Sequence, residues 1–231
     1  MGKHNYLWLI FVFICGSKIL AQEKVIEFSK GMWHTGITMS IVDSNDENVD
    51  ELIYDVIKNH KSGFEINVLG GYFIGDNMSL GLQYSYAKHE RDLIYKTDET
   101  EARRQRASAN HTFTAFLRNY YPISSNNRFS FFNETDLSVG FGNSNSRNTK
   151  SESEITKTYT DEIDLKLGLR PGIAIILIEG FAFEVSVDLL GLTYSNDKIT
   201  KDGVNEGSRS DFKFDFDISL LSLDFGLAYY F

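Results

Sequence analysis

In several apolar stretches of this 231-residue chain, charged side chains occupy alternate positions. Because successive side chains of a β-strand point to opposite sides, these charges share one face of each strand and apolar side chains take the other. Charges enclosed on one face must be paired or hydrogen-bonded, since an isolated buried charge is strongly destabilising. The pattern therefore favours a structural salt-bridge network over a gated ion path, and the excess of acids leaves trapped water, protonated carboxylates or a cation open. The predicted network comprises Glu65, Arg118, Glu134, Asp136, Asp164, Lys166, Arg170, Glu184, Asp188 and Asp224.

Two other groups of residues are weaker candidates for a functional site, one for catalysis and one for phosphate binding. Ser108 and His111, with the acidic residues of segment 88–108, have the composition of a serine–histidine–acid site. Such residues are common in any polar segment, so no catalytic site is predicted. Arg103, Arg104 and Arg106 form a basic cluster, and arginine binds phosphate with two parallel hydrogen bonds. A solvated charged loop is the simpler interpretation of that cluster.

The elements that position these residues are eight segments in which polar and apolar residues alternate. The last of them ends on an aromatic residue, Phe231, and its phase slips at Leu220 and Leu221, which indicates a bulge or sheet that protrudes above a membrane. About ten alternating residues match one tilted membrane-spanning strand. The segments run approximately over Met32–Val42, Gly63–Ile74, Met78–Ala87, Asn110–Tyr121, Arg128–Gly142, Thr158–Leu177, Phe181–Tyr194 and Phe212–Phe231.

The connections between the segments alternate between short and long. Three are short turns, at 75–77, 122–127 and 179–180. Four are long and polar and are predicted to be loops, at 43–61, 88–108, 143–157 and 195–211. This alternation is typical of an antiparallel meander whose two rims face different compartments. The sequence predicts an all-β fold, an eight-stranded antiparallel up-and-down transmembrane β-barrel that occupies residues 22–231 as one domain.

The first residues have the organisation of a secretory signal peptide. Lys3 and His4 precede a short apolar run, and Ala21 provides a small residue for cleavage, so residues 1–21 are predicted to be removed. Cys15 is the single cysteine of the chain, so the mature protein has no disulfide and no thiolate metal site. The 32 acidic residues outnumber the 23 basic ones, which argues against nucleic acid as a partner.

Alternation alone does not say which face points outward, so a secreted barrel with an apolar interior is the rival architecture. Glycines on the polar face suit a narrow, filled interior better than a solvated exterior. Aromatic residues cluster near the segment ends, as the girdles of membrane barrels do. Both features favour the membrane barrel. The glycines are Gly36, Gly71, Gly81, Gly140, Gly168 and Gly226.

The chain resembles the small eight-stranded outer-membrane β-barrels of the OmpA/OmpX type, without a periplasmic domain. The residues that carry the resemblance are Gly70–Ile74, Leu80–Leu82, Arg118–Tyr121, Leu169–Gly172 and Leu227–Phe231. The resemblance implies the outer membrane of a Gram-negative bacterium. It also implies insertion by the barrel-assembly machinery, with Tyr229 and Phe231 as the assembly signal.

The expected function is that of a non-enzymatic outer-membrane barrel. Its extracellular loops are expected to act in surface interaction, membrane integrity or a larger complex. Expected partners are outer-membrane lipid, including lipopolysaccharide phosphates at Arg103, Arg104 and Arg106, and proteins at the loops. Neither a cofactor nor a metal is expected. The alternatives are a narrow channel for ions or small solutes and a lipid-modifying enzyme that uses Ser108 and His111 at the rim.

Overall fold

The computed structural model describes residues 27–50, 55–97, 100–123, 128–151, 154–216 and 223–231. The predicted signal peptide, residues 1–21, lies outside the described residues. No helix long and apolar enough to cross a membrane is found among them. The strands are β1 (Trp33–Asp50), β2 (Asp55–Gly75), β3 (Met78–Thr97), β4 (Thr100–Pro122), β5 (Phe129–Ser151), β6 (Glu154–Ile178), β7 (Phe181–Val187), β8 (Leu190–Lys201), β9 (Val204–Phe216) and β10 (Leu223–Tyr230).

The strands form one antiparallel sheet that closes on itself. Hydrogen-bonded neighbours run from β1 through β2, β3, β4, β5 and β6 to β7 and β10, and β10 pairs again with β1. β8 pairs with β6 beyond the end of β7, and β9 pairs with β8 as the next strand of the sheet. The predicted all-β antiparallel architecture is therefore confirmed, as is its closure into a ring.

The residues that the structure describes form ten strands, so the predicted count of eight is not confirmed. The seventh predicted segment is divided, because the strand is interrupted at 188–189 between β7 and β8. The described parts of the last segment are β9 and β10, and residues 217–222, where the phase slip was predicted, lie outside the described residues. Hydropathy alternates on both sides of 188–189 but in opposite phase: odd-numbered residues such as Phe181 face outward in β7, and even-numbered ones such as Tyr194 do so in β8. The sequence analysis merged these two short strands into one segment.

Burial is inverted relative to a water-soluble protein. Outward-facing Leu82 and Phe113 are 70% and 57% exposed, whereas inward-facing Asn67 and Glu134 are 1% and 0% exposed. The outward-facing residues of β5 from Phe129 to Phe141 are mostly apolar, with Asn133 and Thr135 between them. At about 3.3 Å per residue and a tilt of about 45°, this stretch covers about 28 Å along the barrel axis, close to the apolar band of about 25 Å in membrane barrels.

The four long connections are not loops, contrary to the prediction. Each is a β-hairpin that continues the ladder of the strands below it, and these four projections are called the long hairpins here. Their polar side chains lie on both faces, so the alternating pattern that marks a half-apolar strand is absent although backbone pairing persists. Among the described residues, the ladders extend as far as the pairs Asp50–Asp55, Thr97–Thr100, Ser151–Glu154 and Lys201–Val204.

The opposite end of the barrel, called the short-turn end here, carries tight turns. Two predicted turns are confirmed, at 75–77 and 179–180, whereas 124–127 of the third lie outside the described residues. Gly180 has φ +77°, a conformation that other residues rarely adopt. A Cβ atom at Gly180 would lie 2.6 Å from Cε2 of Tyr229. Glycine therefore allows this turn to pack directly against β10.

Candidate functional site: the barrel interior

A cluster of aromatic rings fills the interior at the short-turn end. Phe28, from the segment that precedes β1, is 2% exposed and lies inside the barrel among rings of four strands. Its ring stacks on Tyr120 of β4 at 4.4 Å between centroids and meets the edge of Tyr230 of β10 at 5.3 Å. Phe73 of β2 stacks on Phe28 at 5.8 Å, and Phe132 of β5 packs on Tyr120 at 6.0 Å. These five residues are called the aromatic seal here.

Backbone hydrogen bonds hold Phe28 in the aromatic seal. The Asn77 amide donates to the Phe28 carbonyl at 2.7 Å, and the Gly31 amide donates to the Phe73 carbonyl at 2.9 Å. The Lys30 amide donates to Oδ1 of Asp76 at 3.1 Å. Sequence analysis missed Phe28 because one phenylalanine between polar neighbours has no periodic pattern. The one feature of the sequence that could have indicated an interior position for Phe28 is its location just before the first strand.

Directly above the aromatic seal, Arg118 binds two carboxylates. Its Nε donates to Oε2 of Glu134 at 2.8 Å, and its Nη1 donates to Oε2 of Glu184 at 2.9 Å. Its guanidinium also lies 4.3 Å from the ring centroid of Phe132, a cation–π geometry. The side chains of Arg118, Glu134 and Glu184 are 4%, 0% and 5% exposed. The Tyr230 hydroxyl donates to Glu184, which couples this layer to the aromatic seal.

A second arginine extends the charged layer along the barrel. Nε of Arg170 donates to Oδ1 of Asp188 at 2.7 Å, and its Nη1 lies 3.5 Å from Oε1 of Glu134. Lys166 Nζ donates to Oδ2 of Asp188 at 2.6 Å. Six of the ten residues predicted to form the interior network are therefore joined by ion pairs. They are Arg118, Glu134, Lys166, Arg170, Glu184 and Asp188.

The remaining four predicted network residues, Glu65, Asp136, Asp164 and Asp224, make no ion pair with the residues that the structure describes. Glu65, Asp136 and Asp164 line a polar cavity of about 220 Å³ above the charged layer. Asp136 accepts a hydrogen bond from Ser138 at 3.4 Å, and Asp224 lies opposite Ser186 in the ladder of β10 and β7. A cavity of this size and polarity can hold water that solvates the carboxylates.

The interior does not assemble a metal site or a serine–histidine site in the described residues. No group of three or more histidine, cysteine, aspartate or glutamate side chains is placed to hold a metal ion there. Ser108 and His111 are three residues apart on β4 and so lie on opposite faces. His111 points outward, where its Nδ1 lies 2.7 Å from the Tyr84 hydroxyl. The pair therefore forms no catalytic dyad.

The three arginines predicted to contact phosphate are not brought together. Arg103 points outward, where its Nε donates to Oδ1 of Asp92 at 2.8 Å, and this bond holds the pKa of Asp92 below its ordinary value. Arg106 lies on the inner face and binds Oε1 of Glu162 at 2.8 Å. Arg104, also on that face, lies 5.8 Å from the ring centroid of Tyr95. Alternation along β4 therefore separates Arg103 from Arg104 and Arg106, which share the inner face.

The two residues predicted as the assembly signal lie at the seam that closes the ring. The Phe231 amide donates to the Trp33 carbonyl at 2.9 Å, and the Trp33 amide donates to the Phe231 carbonyl at 2.7 Å. The ring of Tyr229 lies 4.6 Å from that of Phe181 and stacks on Phe231 at 5.5 Å. Recognition of these residues by an assembly machinery stays a prediction.

No protein-family model matches the chain, and no curated protein matches it closely. Solved structures with a similar fold include a major outer membrane protein from Thermus thermophilus, at 12% identity and a TM-score of 0.43, covering 87% of this chain and 99% of that one. They also include the outer membrane protein OprG from Pseudomonas aeruginosa, at 14% identity and a TM-score of 0.43, covering 88% of this chain and 97% of that one. Likeness at this level assigns neither a family nor a role.

Proposed function

We propose that the chain is a non-conducting β-barrel of a Gram-negative outer membrane that holds its long hairpins outside the cell for surface contacts. The apolar outer face and the charged interior support a membrane location. Charged side chains that faced lipid would be destabilising, and in this barrel the charged side chains instead face the interior. Long strands on one rim and tight turns on the other favour an orientation with the short-turn end in the periplasm.

We further infer that the membrane-embedded wall has eight strands in cross-section. The pairing ring runs through β1 to β7 and β10, while β8 and β9 continue the wall above β7 and β10. An eight-stranded wall leaves an interior that side chains can fill. This count agrees with the density of buried side chains around Arg118 and Phe28.

The observation that carries the proposal is that two layers block the interior in series. The aromatic seal occupies the short-turn end, and the Arg118 ion pairs lie directly above it. A conducting path would require both layers to open, which would leave Glu134 and Glu184 without their main partner inside the barrel. The lumen is therefore an outward-facing cavity rather than a channel.

Planar bilayer recordings of the refolded protein test this proposal. The wild-type protein should give no steady current, and Phe28→Ala/Arg118→Met should give brief openings because both blocking layers then lose their central side chain. Phe131→Ala is the matched control, since Phe131 faces outward and is 51% exposed; it should be as silent as wild type. Steady current from the wild-type protein would refute the proposal and favour a narrow channel.

A further inference from the structure

A groove of about 810 Å³ crosses the outer face of the long hairpins, away from the barrel interior. Its floor is a ladder of directly opposite residues on five adjacent strands, and it dips at Ala107, which has no side chain beyond Cβ. The turn between β8 and β9 borders the groove at Gly203. One rung of the ladder runs across the five strands from His60 to Lys157, and the other runs from Ser62 to Tyr159.

The acidic side chains of the groove already have cationic partners. Glu90 accepts from Lys88 at 2.8 Å, and Asp92 is bound by Arg103. Each of these partners comes from outside the set of residues that line the groove. The acidic end of the groove is therefore neutralised by contacts that the structure shows.

The basic end of the groove is different. Arg147 and Lys157 lie directly opposite each other on β5 and β6, and neither has a carboxylate within 4.0 Å among the described residues. The carboxylate of Asp202 accepts instead from the backbone amide of Lys157 at 2.8 Å. Like charges directly opposite on neighbouring strands are destabilising. An anion between the two side chains would remove that repulsion.

The side chains beside these two cations suit a sugar. Tyr159 is 39% exposed, and its hydroxyl donates to Oδ1 of Asp161 at 2.8 Å, which fixes the ring. Gln105 and Asn145 offer amide donors and acceptors. An exposed aromatic face supplies apolar area for the C–H face of a sugar ring, while the amides match its hydroxyls.

The height of the groove agrees with such a ligand. On β5, Asn145 and Arg147 follow Phe141, the last outward-facing aromatic residue, by four and six positions. At about 3.3 Å per residue and a tilt of about 45°, they stand about 9–14 Å above the apolar band, at the level of headgroups.

We propose that this groove binds a phosphorylated saccharide, with the phosphate between Arg147 and Lys157 and the sugar ring against Tyr159. The proposal rests on the proposed function, which places the long hairpins outside the cell. The saccharide is either the headgroup of lipopolysaccharide in the same membrane or a soluble molecule, because both present a phosphate on a sugar ring.

Calorimetric titration of the refolded protein in zwitterionic detergent with glucose 1-phosphate tests the groove. Wild type should bind this probe at least about tenfold more tightly than glucose or inorganic phosphate, because charge-assisted and sugar contacts combine. The variant Arg147→Gln/Lys157→Gln should lose about tenfold or more in affinity. The control Lys198→Gln/Lys213→Gln removes the same charge outside the groove and should bind as wild type.

Equal affinity of wild type and Arg147→Gln/Lys157→Gln would overturn the site, and equal affinity for inorganic phosphate would overturn the saccharide. A nanodisc titration with and without lipopolysaccharide separates the sources: competition with glucose 1-phosphate identifies the headgroup, and its absence identifies a soluble saccharide. Binding in micelles does not depend on orientation or conductance. Failure of the groove is therefore distinguishable from failure of the proposed function.

Discussion

The buried ion pairs of Arg118 make a quantitative prediction about stability. Replacing Arg118 with methionine keeps much of the apolar stem against Phe132 but removes the charge between Glu134 and Glu184. Glu184 then retains the Tyr230 hydroxyl, and Glu134 retains a longer contact to Arg170 at 3.5 Å. Removing one partner of a buried ion pair costs about 3–5 kcal/mol, and we expect the free energy of unfolding to fall by that amount.

Denaturant unfolding in phospholipid vesicles measures this change. Trp33 is a suitable fluorescent reporter, because it lies on the outer face and is 53% exposed to what surrounds the barrel. Adding Glu134→Gln and Glu184→Gln to Arg118→Met should restore most of the loss, since the carboxylates that lack a partner are then neutral. This rescue separates the charge effect from a simple loss of packing.

Arg103→Met is the control for the same substitution at an exposed ion pair. The Arg103 side chain is 50% exposed, so solvent screens its attraction to Asp92 and the unfolding midpoint should not change. A loss below about 1 kcal/mol for Arg118→Met would refute the reasoning, because a loss that small is typical of solvent-exposed pairs. Failure of the glutamine variants to rescue would refute it as well.

Three further predictions concern packing, orientation and assembly. Gly81→Val should prevent folding, measured by the heat-dependent shift in gel mobility, because a Cβ there would lie 2.5 Å from the backbone carbonyl oxygen of Gly70 and would also clash with the ring of Phe116. In intact cells, an impermeant thiol reagent should label Glu206→Cys on a long hairpin and leave Asp76→Cys at the short-turn end unlabelled; the reverse would invert the proposed orientation. Deleting Phe231 should lower the amount of assembled protein more than the stability of barrels already folded, and normal outer-membrane levels of the deletion variant would contradict its proposed role in recognition.

Alternation predicted which side chains face inward because it depends on strand geometry and solvent, not on distant contacts. Arg118 and Glu134 lie an even number of positions from the small polar residues of β4 and β5 and therefore on the same face of each strand. This was sufficient to place them inside the barrel. Their pairing with Glu184 depends on the register between strands that are distant in sequence. The sequence shows the faces but carries no direct record of that register.

The long hairpins were predicted as loops because hydropathy detects a strand only when one face is apolar. The part of β4 around Arg103 and Gln105 carries polar side chains on both faces of the strand. Its backbone pairing therefore leaves no alternation of hydropathy in the sequence. The groove beside Ala107 is formed by paired residues of these long hairpins. It was missed because the hairpins were predicted to be loops. Arg103, Arg104 and Arg106 were grouped by proximity in sequence, although strand geometry places Arg103 on the opposite face from the other two.

The position of Phe28 imposes an order of events on assembly. Its ring contacts Tyr120 of β4 and Tyr230 of β10, and its carbonyl accepts from the turn between β2 and β3. The contact with Tyr230 is made only once β10 has joined β1, so the full set of Phe28 contacts requires a closed wall. A fluorophore placed beside Phe28 would therefore report closure of the barrel.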